Sequence, residues 1–163
     1  MRRLPKIAAA LLAAAVAVSA ALPALAADQR AELELEASVC CTGEAANETL
    51  TVRLTAKDGA PMPEGCDDEA ELYFSARDCR DADDKTLTKT FDPIVYTAPG
   101  VYEYTVTQDA GGRKRADYDD TTFYLKVMVA WDSDGVLKVH EAVRRDESDG
   151  VKTELIFKNS YRS

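Results

Sequence analysis

Val101-Tyr102-Glu103-Tyr104-Thr105-Val106-Thr107-Gln108 decides the fold, together with the stretch Thr121 to Trp131 and the run Val136 to Val143 beyond it. All three are rich in Val, Thr and Tyr, whose branched or aromatic side chains pack well on a pleated, half-buried surface and so favour strands. Their punctuation is turn chemistry. Ala98-Pro99-Gly100 leads into the first, Gly111-Gly112 and a polar loop separate it from the second, and Asp132-Ser133-Asp134-Gly135 reverses the second into the third as a hairpin. A further turn at Asp149-Gly150 introduces Val151 to Tyr161.

Working back toward the N-terminus, the same signal recurs. Leu33, Leu35, Ala37 and Val39 alternate with Glu34, Glu36 and Ser38, a half-buried strand with an acidic outer face. Leu50 to Thr55 is a second strand, Lys57 to Gly65 is turn chemistry throughout, and Glu71 to Ala76 is a third short strand. Asp78 to Asp84 reads as a solvated acidic loop, with short strands at Thr86 to Phe91 and Ile94 to Thr97 around Pro93. The spacing predicts about nine short strands and no amphipathic helix beyond the N-terminal segment, the signature of an all-β sandwich.

The N-terminal segment has a different composition. Arg2, Arg3 and Lys6 precede an apolar run from Ile7 to Leu22, and Ala24-Leu25-Ala26 provides small residues at a cleavage site. That order predicts a secretory signal peptide over residues 1–26, followed by one domain over 27–163. The apolar run is too short and Ala-rich for a lasting membrane span. The predicted mature chain has 137 residues (163 − 26) and keeps 17 basic against 29 acidic groups, a net charge of −12 (17 − 29). Its largest basic cluster is Arg113-Lys114-Arg115, so neither nucleic acid nor an anionic lipid surface is expected as partner.

Export would carry Cys40, Cys41, Cys66 and Cys79 into an oxidising setting, where disulfides persist. A bridge between neighbours Cys40 and Cys41 would strain the peptide between them. On a strand these two face opposite ways and should seek different partners. That leaves Cys40–Cys66 with Cys41–Cys79, or Cys40–Cys79 with Cys41–Cys66, and a lone Cys66–Cys79 bridge as the fallback. A structural zinc site would call for a C-x-x-C pair, which the chain lacks.

Catalytic patterns are absent from the sequence. His140, the single histidine, lies mid-strand, and no G-x-S-x-G or Cys–His spacing accompanies it. Asp132-Ser133-Asp134-Gly135 resembles the start of a calcium loop but lacks the closing Glu, and a β-turn asks for the same residues. Trp131 and the tyrosines at 96, 102, 104, 118 and 124 are expected to supply packing. The chain is therefore read as a non-enzyme with no cofactor and no metal site.

The run Phe91-Asp92-Pro93-Ile94-Val95-Tyr96-Thr97-Ala98-Pro99-Gly100-Val101-Tyr102-Glu103-Tyr104-Thr105-Val106 now gains meaning alongside four others. These are Leu54 to Pro63, Tyr118-Asp119, Phe123 to Val129, and the closing Phe157-Lys158-Asn159-Ser160-Tyr161. In order and spacing they resemble the streptococcal pilin isopeptide-linkage domain of Gram-positive surface proteins, over roughly residues 32–161. The resemblance implies an immunoglobulin-like, collagen-adhesin-B-like β-sandwich, stiffened in the family by a self-formed Lys–Asn amide bond. That reaction needs a buried, neutral lysine amine, an asparagine amide against it, and a buried protonated Glu that polarises the amide and shuttles protons as ammonia leaves.

Carried over residue by residue, the match is partial. Asn159 takes the place of the family's closing-strand Asn, but the position of the family's glutamate holds Gln108, which cannot relay a proton. The nucleophile belongs on the first strand near Ala37 to Val39, yet no lysine occurs between Ala27 and Ala56. No intramolecular isopeptide bond is expected. Cys40 and Cys41 fall on that same strand, so a disulfide is the expected replacement. The implied function is a secreted or cell-surface structural or adhesive module whose partners are other surface or pilus proteins. The alternative is a secreted sandwich that binds a protein or ligand through its loops, with Asp78–Asp84 and Arg113–Arg115 as candidates. Neither an L-P-x-T-G motif nor a convincing linking lysine is seen, so a free secreted domain or a partner of an anchored protein is expected.

Overall fold

A computed structural model describes residues 29–45, 47–147 and 150–163, so the signal peptide expected over residues 1–26 lies outside the described residues. Eleven strands and one short helix are assigned among them: β1 (Ala31–Leu33), β2 (Glu36–Gly43), β3 (Thr49–Ala56), β4 (Glu69–Ser75), α1 (Ala76–Asp81), β5 (Thr86–Thr90), β6 (Ile94–Tyr96), β7 (Gly100–Gln108), β8 (Ala116–Asp117), β9 (Phe123–Trp131), β10 (Leu137–Arg144) and β11 (Ile156–Tyr161). One sheet runs β10-β9-β7-β3-β4, a second runs β5-β2-β11-β8, and β1 pairs with β6 as a small ribbon. The fold is an all-β sandwich, as the alternation predicts.

Period-two patterning explains which faces meet. Leu50, Val52 and Leu54 of β3 and Phe123, Leu125, Val127 and Val129 of β9 are buried, while Arg53, Lys126 and Met128 between them face outward or are half-covered. The second sheet answers with Ala37, Val39 and Cys41 of β2 and Phe157 and Tyr161 of β11. Phe123 and Phe157 meet edge to face across the interface, with ring centroids 5.0 Å apart, a favoured arrangement for two aromatic quadrupoles. Burial of such rings, at roughly 2–3 kcal/mol each, is what holds the sheets together.

Most pairings are antiparallel, but β11 runs parallel to β2, from Ile156↔Ser38 to Tyr161↔Gly43. The chain thus ends beside the strand on which the second sheet begins. Gly43 makes the upper end of this pairing possible. Its φ is +78°, and a Cβ built there would sit 1.9 Å from the Tyr161 carbonyl oxygen, so only glycine fits.

Three elements depart from the sequence expectation. The single strand read through Leu33 to Val39 is two, because the chain leaves β6 after Leu33 and joins β5 and β11 from Glu36. The segment read as an acidic loop holds α1 and a 3-10 turn at Asp83–Lys85. Ser75 caps α1 by accepting from the Asp78 N–H, while Ala76 and Cys79 are buried; burying that apolar side on β2 stabilises a helix too short to stand alone. The polar loop before Thr121 contributes β8, two residues that pair with Ser160 and Tyr161. No helix among the described residues is long and apolar enough to cross a membrane.

Candidate functional site

Strand parity brings two amides into the apolar interior. On β7 the inward series Tyr104, Val106 continues to Gln108, and on β11 the series Phe157, Asn159, Tyr161 places an amide between two rings. Among the described residues, Gln108 and Asn159 are the buried polar side chains of the core, at 8% and 2% exposure. They come from opposite sheets and meet in a reciprocal pair. Gln108 Nε2 donates to Asn159 Oδ1 at 2.7 Å, and Asn159 Nδ2 donates to Gln108 Oε1 at 3.0 Å.

The backbone fixes which way round this pair sits. The Asp119 N–H donates to Asn159 Oδ1 at 3.1 Å, and Asn159 Nδ2 also reaches the Cys40 carbonyl at 3.4 Å. A backbone donor and a backbone acceptor thereby identify the oxygen and nitrogen of Asn159, and Gln108 must present the complement. Every donor and acceptor of the Asn159 amide is engaged. Satisfied in this way, a buried polar pair specifies how the sheets register; left half-satisfied it would cost about 1–3 kcal/mol.

Asp119 secures the surroundings. Its carboxylate accepts from the Thr121 N–H at 3.0 Å and from the Lys158 N–H at 2.8 Å. Burial alone would raise its pKa, but these bonds outweigh burial and hold the carboxyl below its ordinary value. At the rim, Tyr118 and Tyr161 donate to Glu48 Oε1 at 2.6 and 2.7 Å, tying the β2–β3 connection to β11.

The structure also shows what β2 offers Asn159. Cys41 lies level with it in the parallel register, and Val39, level with Phe157, is the next inward residue. Ala37 lies farther back along the strand, about 13 Å from the level of Asn159, too far for a side chain there to reach it. None of these is an amine. Lys57 is held at the surface between Glu147 at 3.0 Å and Glu103 at 3.3 Å, and hydrogen bonding to Glu147 raises its pKa, which keeps it a charged, non-nucleophilic ammonium. Lys126 faces outward toward Glu103 at 3.6 Å.

Of the four cysteines, the structure brings two together. Cys41 and Cys79 are fully buried, with β2 packed against α1. Interaction with Cys79, reinforced by burial, holds the Cys41 thiol above its ordinary value, and the same interaction lowers that of Cys79. Cys40 faces the opposite side of its sheet and is half-buried. Cys66 lies in the turn before β4 and Cys79 beyond its far end; seven residues of strand separate those ends by roughly 20 Å. The Cys66–Cys79, Cys40–Cys79 and Cys41–Cys66 combinations are therefore not brought together. All four cysteines are free thiols in the structure.

The remaining candidates resolve into local structure. Asp132 Oδ1 accepts from the Asp134 and Val136 N–H groups at 2.9 Å each, the bonding of a turn. His140 is exposed on β10 opposite Met128. The Arg113 guanidinium donates to the Asn47 carbonyl, and its backbone N–H donates to Tyr118. Among the described residues no group of three or more His, Cys, Asp or Glu converges to hold a metal ion. Sequence reading left Cys41–Cys79 as one of two open pairings, because it missed α1; the S-x-x-D spacing of Ser75 and Asp78 was the available signal.

The chain belongs to the Spy0128-like isopeptide containing domain family, whose model matches residues 33–162. Its fold is similar to that of the major pilin protein T-13 from Streptococcus pyogenes, with a TM-score of 0.55 and 17% identity over 83% of this chain and 55% of that one. A second major pilin from Streptococcus pyogenes gives a TM-score of 0.53 and 19% identity over 80% of this chain and 50% of the other. The chain thus spans about half the length of these pilins. Comparison with curated proteins finds no significant match.

Proposed function

We propose that this chain is an exported structural module of a pilus-type or adhesive surface assembly, joined to other surface proteins and lacking an intramolecular isopeptide bond. Residues 1–26 act as the export signal and residues 27–163 as the working domain. The observation that carries this reading is the Gln108–Asn159 pair. Two neutral amides occupy the place where an acid and an amide would have to meet an amine, and the inward residues of β2 nearest Asn159 are Val39 and Cys41. Without a neutral amine there is no nucleophile, and without a carboxylic acid there is no group to relay the proton as ammonia departs. The inter-sheet link is held by hydrogen bonds instead.

Intact mass of the mature chain tests it: no loss of one ammonia is expected, and such a loss would refute the reading. The converse experiment introduces Val39→Lys together with Gln108→Glu. Of the β2 positions near the site, Val39 gives a lysine both the inward face and the reach. The double variant should lose ammonia and gain a Lys–Asn cross-link between residues 39 and 159, and its failure to do so would mean that Asn159 is not the cross-link position. Cell fractionation tests the assembly role. High-mass species that survive detergent support it, and a purely monomeric protein in the medium speaks for a free secreted domain.

A further inference from the structure

We propose that Cys41 and Cys79 form an intramolecular disulfide that ties β2 to α1, leaving Cys40 and Cys66 as thiols. Both residues are fully buried and belong to elements packed directly on each other, and each thiol is the largest influence on the other's titration. Parity excludes Cys40 from this bridge, because it lies on the other face of β2. The length of β4 excludes Cys66. The chain enclosed by the bridge contains β3 and β4, so the link joins the second sheet to the edge of the first. It also anchors the segment of β2 that lies level with Asn159, where the amide pair holds the sheets by hydrogen bonds alone.

The chemistry is thiol–disulfide exchange with a disulfide-bearing oxidant, either a small molecule or an oxidoreductase. One thiol loses its proton and attacks the oxidant, giving a mixed disulfide and releasing one reduced thiol. The second thiolate then displaces the other half. Two thiols of the chain are oxidised to one S–S bond, and the oxidant's disulfide is reduced to two thiols. In the folded chain both sulfurs are closed off from solvent, so the exchange takes place as α1 docks during folding. In the cell this inference rests on the export proposed above, since an exported chain meets an oxidising environment as it folds.

The test uses the full chain, reduced, unfolded and then refolded in a buffer of glutathione and glutathione disulfide. After refolding it is unfolded without reductant, alkylated and fragmented. The expected product carries alkyl groups on Cys40 and Cys66 only, and fragment spectra place a link between Cys41 and Cys79. Four alkylated cysteines, or a link through Cys40 or Cys66, would overturn the inference. A Cys40→Ser/Cys66→Ser variant should keep the link, and its Tm should be lower by on the order of 10 °C when it is unfolded and refolded in the presence of reductant. A Tm in that variant unaffected by reductant would also refute the bridge. Chain recovered from outside producing cells should carry the same link. If the protein forms it on refolding but is retained inside cells in reduced form, the export reading fails and the bridge stands.

Discussion

Replacing Gln108 by Glu should make the stability of this domain depend on pH in a way the parent's does not. At low pH the introduced carboxyl is protonated. Its O–H takes the place of Gln108 Nε2, which lies 2.7 Å from Asn159 Oδ1, and its carbonyl oxygen accepts from Asn159 Nδ2 as Gln108 Oε1 does at 3.0 Å. Ionised, it presents two acceptors to a side chain that needs one donor, and it places a charge where Gln108 is 8% exposed. Both effects disfavour the charged form, so the folded-state pKa rises above the unfolded value of about 4.3. A group with a raised folded pKa contributes its full stability below the unfolded pKa, and that contribution is lost as pH rises through the folded pKa. A rise of about two units corresponds to about 3 kcal/mol lost by neutral pH, or on the order of 10 °C in Tm for a domain of this size. Melting both proteins from about pH 4 to about pH 7.5 isolates the effect, because Asp119 and the other carboxylates are common to both. The variant should melt close to the parent at the acidic end and well below it at the neutral end. A Tm difference that stays constant across that range would show that residue 108 does not face Asn159 in the folded interior.

Three further outcomes are expected. Gly43→Ala should lower stability by at least about 2 kcal/mol, because a Cβ would meet the Tyr161 carbonyl and φ is positive there; urea unfolding should show a lower midpoint at an unchanged slope. Glu48→Ala removes the acceptor of two tyrosine hydroxyls and should cost about 2 kcal/mol in the same assay. Burial pushes the Tyr104 hydroxyl up to about 12 and raises that of Tyr96 still further. Unfolded tyrosines therefore ionise first, and stability should fall as pH rises from about 10 toward 12. Phenolate absorbance should appear together with unfolding; phenolate forming in full around pH 10 in a still-folded protein would contradict the burial of the pair.

How much was legible in the sequence follows from how far each feature depends on period two. Leu50 to Thr55 and Phe123 to Val129 alternate cleanly, so their strands and buried faces could be read directly, as could the outward placement of Lys126. The split between β1 and β2 could not. The alternation continues through Leu35, which stays buried, while the hydrogen-bonding partner changes from β6 to β11, and a change of partner leaves no mark on the pattern. α1 is six residues long, shorter than two helical turns, so its apolar positions show no period. At the site, parity alone put Cys40 and Cys41 on opposite faces, but which cysteine each would meet depended on α1. Gln108 was singled out by resemblance rather than by pattern, although a polar residue continuing the inward series Tyr104, Val106 carried the same message.

The parallel pairing of β2 with β11 governs how the domain would respond to being stretched. The chain enters β2 at Glu36 and leaves β11 at Tyr161, at opposite ends of the same ladder. Tension applied through the two flanks therefore slides one strand past the other along their length. In that shear geometry the paired positions from Ser38 to Gly43 resist together, whereas in a hairpin drawn from its open end they would give way in turn. Separation must also extract Asn159 from its partners on β7 and on the Asp119 loop within the same movement. Resistance to pulling is thus set by the direction in which the first and last strands of the second sheet run, with the buried amide pair as the detent that must yield before they slip.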